Sequence, residues 1–101
     1  MKVAMFVMWD MSKTVDVAKA ADSVINTPGR KLLANYMFQG KPFDGLAPTT
    51  TVSMTISEVE NNEALTVIQY AMGLAGATTW VVPIFEIPVG KNVETEKKLR
   101  K

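Results

Sequence analysis

"TTTVSMTIS" (residues 49–57) alternates along its whole length: Val52, Met54 and Ile56 point to one side of an extended chain, and Thr51, Ser53, Thr55 and Ser57 to the other. A period of two predicts a strand with one apolar and one hydroxyl face. If the apolar row packs against helices, the hydroxyl row lies on the opposite face of the sheet. There it meets water, a partner chain or a ligand. Thr is also a good strand former on a half-exposed face, so solvation alone accounts for such a row.

Working outward, "GKPFDGLAP" (40–48) is too long and too rich in Gly and Pro for a tight hairpin, and Phe43 and Leu46 are expected to fold back on apolar surface. "KLLANYMFQ" (31–39) predicts another strand, with Ala34, Tyr36 and Phe38 on one face and Asn35, Met37 and Gln39 on the other. "VAMFVMW" (3–9) is apolar on both faces, which suits a central strand. Lys2 before it faintly imitates a secretory leader, but Asp10, Lys13 and Asp16 follow too soon. "TVDVAKAADSVIN" (14–26) carries Val17, Ala18, Ala21, Val24 and Ile25 at helical spacing, with Asp10 or Ser12 as cap and Thr27, Pro28 and Gly29 as its end.

Downstream, "ENNEALTVIQYAMGLAG" (60–76) predicts a second helix capped by Asn61 or Asn62, with a buried stripe from Ala64 to Ala75. "TTWVVPIFEIPV" (78–89) predicts a fourth strand, which Pro83 confines to an edge or a bulge. From Lys91 to Lys101 the chain is polar and mostly basic, a frayed helical tail beyond a domain of residues 1–90. The order strand–helix–strand–strand–helix–strand is that of an α+β, ferredoxin-like βαββαβ domain: four antiparallel strands, two helices on one face, strands one and three central. The other face would leave an apolar patch larger than monomers usually expose, which predicts a homodimer formed through the sheet.

The element order, "VAMFVMWD" (3–10) and the closing "WVVPIFEIPV" (80–89) resemble the dimeric alpha–beta barrel superfamily. Within it the chain is most similar to a small family of uncharacterised domains, with a first strand rich in Met and Phe and a closing segment of the type xxVxPVxE. The resemblance covers Lys2 to Val89. It implies two sheets facing each other as a shared barrel, with ligands inside it or under the helices.

Chemistry is bounded by what the chain lacks. With no His and no Cys there is no Ser–His–Asp or Cys–His pair, no imidazole or thiolate metal site and no axial haem ligand from His. No cofactor is expected, and zero Cys fits a cytoplasmic protein. A net charge of +1 leaves no footprint for nucleic acid or an anionic membrane. Strand three lacks the stacked aromatics of an RNA-recognition domain, and Arg30 in "TPGRK" follows a helix, which argues against a phosphate loop.

The remaining candidates are few. Trp9, Met37, Thr51, Ser53 and Thr55 are the residues expected to line a ligand cavity, and adaptable methionines suit an apolar small molecule. Asn35, Tyr36 and Trp80 carry the residue types that the resemblance associates with cofactor-independent monooxygenases. Glu86 is the one carboxylate within the fourth predicted strand; in an apolar setting it would be a raised-pKa acid or base. Two roles follow: a noncatalytic small-ligand-binding or assembly domain, or a cofactor-independent monooxygenase or isomerase acting on an apolar molecule.

Overall fold

The strand that is apolar on both sides, β1 (Lys2–Asp10), occupies the interior of the sheet in the computed structural model, which describes residues 1–100. It pairs antiparallel with β3 (Thr50–Val59) on one side and β4 (Thr78–Pro83) on the other. β2 (Arg30–Met37) completes an open four-stranded antiparallel sheet in the order β2-β3-β1-β4. α1 (Thr14–Ser23) follows β1 through a single 3-10 turn, Met11–Lys13, and α2 (Asn62–Leu74) joins β3 to β4. The architecture is α+β, loosely of the ferredoxin-like kind.

α2 has both its stop and its start written locally. The Asn61 side chain accepts a hydrogen bond from the Ala64 N–H at 2.9 Å, satisfying one of the free donors of the first turn. At the other end Gly76 takes φ 98°, and the Ala77 N–H returns to the Met72 carbonyl at 3.0 Å, which closes the helix in a Schellman turn.

Three expectations are corrected. The fourth strand ends at Pro83 rather than continuing to Val89: Ile84 still donates to the Lys2 carbonyl at 3.0 Å, but the segment beyond is irregular. The proline supplies no donor to continue the ladder. There are three helices among the described residues rather than the two of a simple βαββαβ order: the expected helical tail forms α3, Asn92–Leu99, an exposed helix carrying no buried residue. Lys101 lies outside the described residues.

The third correction concerns the two faces of β3. Val3, Met5, Val7 and Trp9 of β1 are buried, and Met5, Val7 and Trp9 join Val17 of α1 and Ile68 and Met72 of α2 in the main core. Directly across from Val3, Met5, Val7 and Trp9 stand Ser57, Thr55, Ser53 and Thr51. Cross-strand partners share a face, so the hydroxyl row lies on the helix side. Val52, Met54 and Ile56 are on the open side, opposite Met8, Phe6 and Ala4. The reason is β1: being apolar on both faces, it allows either side of the sheet to take the helices.

The open face is therefore apolar across its width. β2 contributes Ala34 and Tyr36, and β4 contributes Trp80 and Val82, paired in register with the apolar rows of β3 and β1. Phe43, from the long loop, packs at 5.2 Å centroid distance on Phe6 and 5.6 Å on Trp80. For Phe43 the expected folding back of that loop onto apolar surface is what the structure shows. The thinnest dimension of the molecule, 18 Å, matches one sheet with one layer of helices.

Candidate functional site

Two helices do not cover four strands. α1 rests on β1, and α2 on β3 and β4, while neither packs closely on β2. Between α1 and the uncovered part of the sheet lies a cavity of about 380 Å³. Small side chains leave this space open: Ser53 and Thr55 below, Ala18 and Ala21 above. The inner wall is apolar, formed by Met5, Val7 and Trp9 of β1, Val17 of α1, and Ile68 and Met72 of α2. The outer rim is the edge strand, with Leu32, Asn35, Tyr36 and Met37, and Asp22 on α1.

Arg30, the first residue of β2, also lines the cavity. Its Nε donates to Ser57 Oγ at 2.9 Å, and its Nη1 makes a long 3.5 Å contact with the Val24 carbonyl. None of the ion pairs formed among the described residues includes Arg30. Burial pulls its pKa below the ordinary value, but a guanidinium stays charged at any neutral pH. Thr55 Oγ1 is sealed from solvent and has no hydrogen-bond partner among the described residues. At the inner edge Trp9 Nε1 donates to Thr14 Oγ1 at 3.0 Å, which fixes the indole as a wall of the cavity.

The bend in β2 decides which residues meet here. Its register on β3 shifts between Leu32 and Ala34, so Leu32 faces Ser57 while Asn35 faces Thr55. A regular strand would place Arg30 and Leu32 on the face opposite Asn35 and Met37; the extra residue, Leu33, brings all four to the helix side.

Of the residues singled out in the sequence, Trp9, Asn35, Tyr36, Met37, Ser53 and Thr55 line this one cavity. Thr51 lies on the same face opposite Trp9 but outside the lining. Trp80 is on the open face of the far edge strand, so it does not meet Asn35. Glu86 lies past the end of β4, exposed, with its carboxylate 2.6 Å from Lys2 Nζ. The hydrogen bond and charge of Lys2 lower the Glu86 pKa, the reverse of what an acid–base role would need. Arg30, Thr14, Val17 and Asp22 were not legible as site residues. Only Arg30 carried a signal, a cation at the start of a strand, and its face depends on the bulge.

Among the described residues no group of His, Cys, Asp and Glu is arranged to hold a metal ion, and no helix is long and apolar enough to cross a membrane. No protein-family model matches the chain, and no curated protein does. Solved structures with a similar trace include a DUF3240 family protein from Shewanella baltica OS155, 12% identical over 87% of this chain and 94% of that one, with a TM-score of 0.46. Another is Bacillus subtilis YXEP, a dinuclear metal binding peptidase from the M20 family, 12% identical over 80% of this chain and 25% of that one, with a TM-score of 0.37. This chain thus spans a quarter of the peptidase's length. Neither likeness carries a statement about function.

Proposed function

We propose that this chain is a noncatalytic domain that binds an apolar small molecule under α1 and works as a homodimer joined through its open sheet face. The observation that carries the first part is the cavity: about 380 Å³, apolar at the back, with a few polar groups at the rim. That size and lining are those of small-molecule sites. Its titratable side chains are Asp22 and Arg30, a set without the nucleophile and adjacent base of covalent catalysis.

The second part rests on Phe6, Tyr36, Met54, Ile56, Trp80 and Val82 sharing the face away from the helices, which the long loop covers only in part through Phe43. Four strands about 4.8 Å apart and some seven residues long present roughly 450 Å² in projection, and more in accessible area. That is the order of the ~800 Å² per partner that a stable interface removes from water. A dimer through this face also fits the dimeric alpha–beta barrel arrangement.

The test is a titration of the protein with C8 alcohols and aromatic alcohols, followed by the methyl resonances of Met5 and Met72. Saturable shifts there support the reading; their absence for every probe removes it. Asn35 in the cavity favours a second reading, a cofactor-independent monooxygenase or isomerase. In that case Asn35→Ala lowers the rate on a turned-over substrate by orders of magnitude, whereas a lining role changes affinity only slightly.

A further inference from the structure

Resting on the cavity as a ligand site, we infer that its ligand is an apolar monocarboxylate, held by its carboxylate between Arg30 and Thr55. The guanidinium lines the cavity and is paired with no carboxylate among the described residues. One side of its fork is engaged, through Nε on Ser57. Nη2 makes no hydrogen bond to any described residue, so its N–H groups are left for a charge-assisted hydrogen bond to a carboxylate.

Thr55 supplies the second, independent pointer. Its buried hydroxyl has no partner, and buried hydroxyls are costly to leave unsatisfied. Thr55 is two residues before Ser57 on the same face of β3, so the hydroxyl lies about 7 Å along the strand from the oxygen that anchors Arg30. Arg30 and Thr55 both line the cavity that the carboxylate would enter. Behind them Met5, Val7, Val17 and Met72 form a wall suited to an alkyl or aryl body.

The charge count selects a monoanion. Arg30 is the one basic residue in the lining, and Asp22 the one acid, at the rim. A phosphate dianion would bring a second negative charge with no cation to meet it and Asp22 to repel it.

The methionines provide a built-in map for the experiment: Met5 and Met72 line the cavity, while Met8 and Met54 lie on the open face. Protein labelled with 13C at the methionine methyls is titrated at neutral pH with octanoate, octan-1-ol and octyl phosphate. Octanoate is expected to shift Met5 and Met72 and to bind about tenfold more tightly than octan-1-ol, the size of one charge-assisted pair. Arg30→Gln is expected to abolish that preference. Should that variant unfold for want of the Ser57 contact, Thr55→Val keeps the test open, because it removes only an unpartnered hydroxyl and is expected to weaken octanoate several-fold. Equal affinity for octanoate and octan-1-ol, tighter binding of octyl phosphate, or a preference that survives in Arg30→Gln overturns the inference but leaves the cavity a ligand site. Shifts confined to Met8 and Met54, or none with any probe, overturn both.

Discussion

Asp10 ends β1 with a carboxylate that receives the Ser12 N–H at 3.0 Å and the hydroxyls of Ser12 and Thr49, each at 2.5 Å. These hydrogen bonds favour the charged form and lower its pKa from 3.8 to about 2. A depressed folded pKa contributes stability above the unfolded value and loses it as pH falls through the folded one. Urea unfolding followed from pH 5 downward is therefore expected to show stability falling between about pH 3.8 and 2, with that portion of the slope absent in Asp10→Asn. Thr55 poses the opposite case: its buried hydroxyl gains nothing in the unliganded protein. Thr55→Val is expected to raise the unfolding free energy by about 1 kcal/mol in the same assay, the cost of an unsatisfied hydroxyl being of that order. A loss of stability would mean that the hydroxyl has a partner after all. Both residues were visible in the sequence, Asp10 as a cap and Thr55 as one of a row. What each hydroxyl or carboxylate meets depends on neighbours 39 residues away in one case and across the sheet in the other.

At the scale of elements, the helices were read from spacing and caps, and α2 illustrates why that worked. Its signals, Asn61 before the first turn and Gly76 after the last, act within a few residues and need no tertiary partner. Asn61→Ala is expected to cost about 1 kcal/mol in thermal or urea unfolding. The β2 bulge is a different kind of feature, because no residue near Leu33 announces it. As the extra residue, Leu33 is expected to be dispensable: its deletion regularises the ladder and leaves Leu32 opposite Ser57 and Asn35 opposite Thr55. Cross-strand amide and Hα contacts by NMR check this, and loss of the Asn35–Thr55 pairing would show that the bulge is needed for the rim.

At the scale of the whole molecule the sheet is two-sided, and each side poses its own question. The helix side is incompletely covered and holds the cavity; the other side is apolar, with Trp80 54% exposed. A surface of that kind favours self-association, so light scattering behind a sizing column is expected to give twice the 11.1 kDa chain mass at all micromolar concentrations. Trp80→Glu, which sets a charge on that face at its β4 edge, is expected to give the single-chain mass without unfolding the helix-side core. A wild-type monomer would remove the dimer from the proposed function while leaving the cavity untouched.

The sequence by itself determined the four strands and two main helices, their order and the chemistry that is out of reach, but not the end of β4 or the bulge in β2. Periodicity, caps and turn residues act locally, and a side chain that is missing, such as His or Cys, is missing in any fold. It also determined that β3 has one hydroxyl and one apolar row, but not which row meets the helices, since β1 offers an apolar surface on both sides. Packing made that choice, and it placed Ser53 and Thr55 under α1 instead of on the open face. The same holds for Arg30. One additional residue in β2 reverses the parity of the strand, and with it brings a cation, an amide and two hydroxyls around one cavity.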